Sequence, residues 1–180
     1  MQVRKNIPHH QMKNGLVTQI LDSSKRRQST PVIFIFKKTR NYVLQLMAMN
    51  CPIKSWRVMF HRWRGVHIGK NVFIGYNCIL DHAYPEYVYL EDNCGLTGDV
   101  YILAHTNPKA FFADVFESYV APVVIGKNAW IGVRSTILPG ARIGENSVVS
   151  AGTIVSKNVP DNTLVAAPKN RSIKLKALHR

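Results

Sequence analysis

Acidic residues are scarce at the front of this 180-residue chain. Through residue 64, Asp22 stands alone against 13 lysines and arginines, a net charge of +12. Cysteine is scarce throughout, at three residues, too few for a disulfide scaffold. Long apolar runs are missing too: none approaches the roughly 20 residues needed to span a bilayer. No apolar leader with a cleavage site is recognisable. Together these absences lead to the expectation of a cytoplasmic protein in a reducing compartment. No Ser-His-Asp constellation is evident. No nucleic-acid reading motif accompanies the positive charge, so no nucleic-acid partner is expected.

What is present divides at about residue 64. Residues 65–180 carry 11 basic against 9 acidic side chains, a net +2. The rear two thirds are therefore nearly neutral, and the length suits one core rather than two. In that part an aliphatic residue recurs every six positions: Ile68, Ile74, Leu80; Leu90, Leu96, Ile102; then Ile125, Ile131, Ile137, Ile143, Val149 and Val155. Six residues at about 100° each scatter side chains around a helix, whereas six is a multiple of the strand period of two. Glycine follows many of the aliphatics, so no single long strand fits. The fifth position is small: Cys78, Cys94, Ala129, Ser135, Ala141, Ser147 and Thr153. One branched and one small residue per hexad suit the inside of a narrow prism whose wall turns every six residues. That is a parallel β-helix of hexapeptide repeats, an all-β solenoid. Cys78 and Cys94, at fifth positions, read as packing residues rather than nucleophiles.

This run of hexads resembles the hexapeptide-repeat acyltransferases, most closely the sugar and polysaccharide O-acetyltransferases, over about residues 65–174. The resemblance implies a left-handed β-helix. Spacing alone does not give that hand, since general topology rules favour right-handed crossovers. The expected organisation is a basic, partly helical segment over 1–64, a β-helix over 65–165 and a tail over 166–180. One inserted loop, 107–122, interrupts the repeat.

The resemblance also implies a reaction: transfer of an acetyl group from acetyl-CoA to a sugar hydroxyl, with no metal required. The acceptor it suggests is a surface polysaccharide or a lipid-linked glycan intermediate. His105, in "AHTNP" at the lip of the insertion, matches the family's catalytic histidine. Its chemistry fits: a neutral alcohol is a weak nucleophile, and histidine can take its proton and pass it on to the leaving thiolate. For the acceptor, Asp81 and His82 break the hexad rule in "ILDHAYPEY", and Asn107 stands at the start of the insertion. Related enzymes contact the sugar through an acidic residue in the first of these stretches. For acetyl-CoA, the resemblance points to Trp130 beside the pantetheine arm, Val133 along the tunnel, and Ala151 through its main chain. Ser156 and Lys157 would lie near the pantetheine and adenosine phosphate. The 3′-phosphate ligand is open among Lys169, Arg171 and Lys174, because "AAPKNR" departs from the family's usual ending. The family further implies a homotrimer.

The front third allows two short amphipathic helices, at about 40–50 and 53–63, separated by Pro52. Trp56, Phe60 and Trp63 share one helical face. Either this segment caps the β-helix, or it makes peripheral contact with an anionic membrane at its inner face. Two rival functions remain. One is a non-catalytic β-helix scaffold. The other is a zinc carbonic anhydrase-like β-helix using His67, His82 and His105, although Ala110 stands where a pairing histidine would be expected.

Overall fold

The computed structural model describes residues 30–107, 115 and 118–167. Among these residues, thirteen short strands form three parallel sheets. The first sheet stacks β1 (His67–Ile68), β4 (Val88–Leu90), β7 (Val123–Ile125) and β10 (Arg142–Ile143). The second stacks β2 (Phe73–Ile74), β5 (Gly95–Leu96), β8 (Trp130–Ile131), β11 (Val148–Val149) and β13 (Leu164–Val165). The third stacks β3 (Ile79–Leu80), β6 (Tyr101–Ile102), β9 (Thr136–Ile137) and β12 (Ile154–Val155). Consecutive strands pass from sheet to sheet, so the chain goes once around three sides before returning one layer along.

Register explains why six residues suffice per side. Ile74, Leu96, Ile131, Val149 and Val165 stand in one row across the second sheet. The aliphatic first positions and the small fifth positions fill the inside, and Cys78 and Cys94 are buried there as free thiols. Burial pushes the Cys78 thiol up to about 11 and the Cys94 thiol up to about 12, which suits packing rather than nucleophilic work.

The corners have their own code. The fourth residue of the hexad takes positive φ: Asn71, Asn77, Asn93, Asp99, Asn128, Arg134, Gly140, Asn146 and Gly152. Asparagine and glycine tolerate this conformation best. On the corner between the first and second sheets, asparagine side chains bond along the stack. Asn71 donates to Asn93 at 3.3 Å, Asn128 to Asn146 at 2.8 Å, and Asn146 to Asn162 at 3.3 Å. Glycine at the second position has a steric cause: a Cβ at Gly132 would lie 2.5 Å from the Ala151 nitrogen in the next coil.

Two helices of the described residues cover the first coil. Helix α1 (Pro31–Asn50) begins about ten residues earlier than the sequence suggested, because Thr30 caps it and Pro31 occupies its first turn. Helix α2 (Lys54–Arg64) ends at Gly65, at φ 105°, and packs on β1 and β2. The expected aromatic face of α2 divides: Phe60 goes inside, while Trp56 and Trp63 stay about half exposed.

Candidate active site

Asp81 follows β3 and His105 follows β6, one coil further along on the same edge of the third sheet. The pair is therefore a product of the coil spacing. Asp81 has no exposed surface. Its Oδ1 accepts from the backbone N–H of Ala83 at 2.8 Å and of Tyr84 at 2.9 Å. Its Oδ2 accepts from the N–H of Ala104 at 2.7 Å and lies 2.5 Å from Nδ1 of His105. Burial alone would raise the carboxyl's pKa; the His105 contact and the backbone donors outweigh it and hold the carboxyl below its usual range. An ionised Asp81 fixes the proton on Nδ1 of His105, which donates to it, and leaves Nε2 with its lone pair.

The His105 side chain is 20% exposed and sits at the base of the insertion. His105 and Val120 form an antiparallel bridge, Ala121 N–H donates to Ala104 and Thr106 N–H donates to Tyr119, both at 2.9 Å. A cleft of about 490 Å³ opens over it, also lined by His82, Tyr84 and Asn107 and, across from them, by Phe34, Lys38 and Tyr42 of α1. The Tyr84 ring lies 5.2 Å from that of His105, and the His82 ring stands edge-on at 6.3 Å.

Behind the pair sits a buried polar cluster. Arg64 Nη2 donates to the carbonyls of Leu80 at 2.8 Å and Asp81 at 3.0 Å. Its Nη1 reaches Gln45 Oε1 and, at 3.0 Å, Nδ1 of His61. Gln45 in turn donates to the Cys78 carbonyl at 2.9 Å. Burial brings Arg64 down to about 10, with Asp81 pulling the other way, and takes His61 down to about 3, with Arg64 adding to the effect.

His82, Asn107 and His105 thus line one cleft. Asp81 as an acceptor contact needs correction, since its carboxylate is buried and its bonds all point inward to His105 and the backbone. The residues expected at acetyl-CoA lie elsewhere. Trp130 is half exposed on the outer face of the second sheet, stacked with Phe73 at 6.2 Å and lying against Gly95. A Cβ at Gly95 would meet its ring at 2.5 Å. Val133 and Ala151 share the next corner, where the Gly152 N–H donates to the Val133 carbonyl at 2.8 Å. Ser156 and Lys157 are exposed just after β12, on the edge that carries His105 two coils earlier. None of these five lines the cleft. Lys169, Arg171 and Lys174 fall outside the described residues. Sequence reasoning missed Arg64, Gln45 and the wall given by α1. The usable signal was Asn41 and Gln45, two polar residues four apart on a helix otherwise mostly apolar or basic. Among the described residues, no three histidine, cysteine or carboxylate side chains converge on a point that could hold a metal ion.

Comparison with known proteins places the sequence and the fold. Residues 65–104 and 122–157 match the family model described as the hexapeptide repeat of succinyl-transferase. YvoF of Bacillus subtilis, which carries an acetyltransferase name, is 31% identical over 140 residues, 76% of this chain and 77% of that one. Galactoside O-acetyltransferase of Escherichia coli is 34% identical over 118 residues, 65% of this chain and 57% of the enzyme. The chain spans about half the length of several other curated relatives, 52% of one from Schizosaccharomyces pombe. In fold, the chain is similar to a hexapeptide-repeat acetyltransferase from Vibrio cholerae complexed with acetyl coenzyme A. That likeness has a TM-score of 0.57 at 19% identity over 74% of this chain and 84% of the other. The three parallel sheets and these likenesses fit a left-handed β-helix. Matched across most of YvoF and through its two blocks of hexads, the chain belongs to the hexapeptide-repeat acetyltransferase family.

Proposed function

We propose that this protein is an O-acetyltransferase, moving an acetyl group from acetyl-CoA to a hydroxyl of a sugar on a left-handed β-helix. The acceptor is a surface-polysaccharide unit or a lipid-linked glycan intermediate. The observation that carries the reading is the buried Asp81 carboxylate on Nδ1 of His105, at the floor of a cleft large enough for a sugar.

Acetyl-CoA is the acyl-donor substrate. His105 Nε2 takes the proton of the acceptor hydroxyl as its oxygen forms a bond to the acetyl carbonyl carbon. Asp81 stabilises the imidazolium and keeps the ring in one tautomer, and it touches neither substrate. Collapse of the tetrahedral adduct breaks the carbon–sulfur bond, and the thiolate recovers the proton from His105. His82 and Asn107 contact the acceptor from the same cleft.

For the donor we propose Trp130, Val133, Ala151, Ser156 and Lys157, with a phosphate contact from Lys169, Arg171 or Lys174. Trp130 offers a flat exposed ring that Gly95 makes room for, which suits a pantetheine arm. Because Trp130, Val133, Ala151, Ser156 and Lys157 do not line the cleft of their own chain, the site is completed in a homotrimer, with His105 of one chain facing Trp130 of the next. The test is a coupled assay of acetyl-CoA consumption across mono- and oligosaccharides, lipid-linked glycans included. Turnover with one acceptor class supports the reading; binding of acetyl-CoA with no turnover on any glycan removes the sugar acceptor from it.

A further inference from the structure

Helix α1 is amphipathic the wrong way round. Phe34, Asn41, Gln45 and Ala48 face the body of the protein and are buried. At 100° per residue the opposite face carries Val32, Phe36, Val43 and Met47, spaced four, seven and four apart. All four are exposed, Val32 at 76% and Phe36 at 68%, and Ile33, Ile35 and Leu46 flank them in the open. A helix packed on a water-soluble body ordinarily turns polar residues outward. An exposed apolar stripe of this kind marks a surface that meets something else.

Charge identifies the partner. No acidic residue occurs between Pro31 and Arg64, and Lys37, Lys38 and Arg40 rise from α1 itself. A second copy covering the stripe would set two segments of +12 against each other. Residues 1–29 add six lysines and arginines against Asp22 alone. An anionic lipid surface satisfies both features, taking the apolar stripe into its acyl boundary and the cations among its headgroups. The helix lies on such a surface rather than through it, since no described helix is long and apolar enough to cross a membrane.

We infer that α1 docks the protein on anionic membrane through the Val32–Phe36–Val43–Met47 stripe. Its other flank, through Phe34, Lys38 and Tyr42, walls the His105 cleft, so docking brings the cleft to headgroup level. That last consequence rests on the acetyltransferase reading; the docking itself does not.

The test uses the full chain without acetyl-CoA or acceptor, so its failure is separable from failure of the enzymatic reading. Cosedimentation is measured with phosphatidylcholine vesicles and with vesicles in which about a third of the lipid is phosphatidylserine, an anionic surface. The expected result is binding to the anionic vesicles alone, weakening at least about tenfold when salt rises from about 0.05 M to about 0.5 M. The double variant Phe36→Ser, Val43→Ser is expected to lose that binding with its thermal midpoint unchanged, both side chains being exposed. Lys37→Gln with Arg40→Gln is expected to weaken it several-fold. Equal binding to neutral and anionic vesicles, or binding to neither, overturns the inference. So does an anionic binding that survives the double serine variant. A drop in oligomeric mass of that variant by light scattering, with vesicle binding intact, would identify a second copy as the occupant instead.

Discussion

Arg64 holds the main-chain carbonyl of Asp81 at 3.0 Å while the carboxylate of the same Asp81 holds His105 at 2.5 Å. The front third of the chain, read from sequence as a cap or a membrane contact, is therefore tied to the Asp81–His105 pair. Its last helical residue fixes the backbone on which the carboxylate facing His105 is mounted.

Arg64 is accordingly a positioning residue, and Arg64→Lys tests that role. A lysine cannot span Gln45, His61 and two carbonyls with one planar fork. We expect kcat to fall about 10- to 100-fold, the order that small misplacements of a reacting group cost, with acetyl-CoA affinity unchanged. Stability should fall by at least the roughly 1.5–3 kcal/mol of one bond to a charged group. A variant that loses stability but keeps full kcat would reduce Arg64 to a purely structural role.

Acid should loosen the same cluster. His61 is held neutral in the fold, at about 3 against an ordinary 6.5. Between those values the unfolded chain binds a proton that the native state refuses, so stability falls as pH drops through that window. The slope for one such group is about 1.4 kcal/mol per pH unit. Asp81, whose carboxyl is held below its usual range, contributes stability that is lost only in stronger acid. His61→Gln keeps an acceptor for Arg64 without the titration. Chemical denaturation at intervals from pH 7 to pH 4 should give this variant a flatter profile than the wild type.

The fold was legible in sequence to the extent that one residue's surroundings repeat. Ile131 or Ala129 meets the same environment as its counterparts in every coil, so spacing alone located the core. The corner rule was equally available, in Asn71, Asn93, Asn128 and Asn146, and lay in the fourth position of the hexads already aligned. The site was half legible. His105 and His82 stand where the repeat breaks, but the role of Asp81 depends on the neighbouring coil's return, which brings residues 24 apart in sequence into contact. Arg64 and α1 were hidden for a different reason. A basic, apolar helix reads as surface until its buried stripe is known, and Gln45 acquires meaning only against the Cys78 carbonyl it faces.

Arg134 breaks the corner code. It takes φ 59° where the stack otherwise uses Asn77, Asp99 and Gly152. Its contact with Asp99, 3.8 Å long and with Arg134 largely exposed, offsets little. The left-handed conformation costs about 1–2 kcal/mol for a residue with a side chain, part of which glycine returns as chain entropy. Arg134→Gly should therefore raise the thermal midpoint by a few degrees, about 2–4 °C per kcal/mol for a chain of this size. A fall in calorimetry would show that Arg134 makes a contact in the assembly that outweighs its backbone strain.

The separation of Trp130 from the cleft bears on assembly. If donor and acceptor residues meet only between copies, light scattering at micromolar concentration should give three times the mass of the 20.4 kDa chain. In that trimer Trp130→Ala should weaken acetyl-CoA binding without dissociating it. A monomer that still turns over substrate would contradict the shared site.

The central claim is that His105, oriented by Asp81, is the base for acetyl transfer, and one paired measurement reaches it most directly. Steady-state kinetics on the best acceptor from the glycan screen, alongside calorimetric binding of acetyl-CoA, are compared for wild type and His105→Ala. We expect kcat to drop by about 10²–10⁴, the range for a lost general base, while acetyl-CoA affinity stays nearly unchanged. A His105→Ala enzyme that keeps more than about half of its activity lies far outside that range and would contradict the assignment.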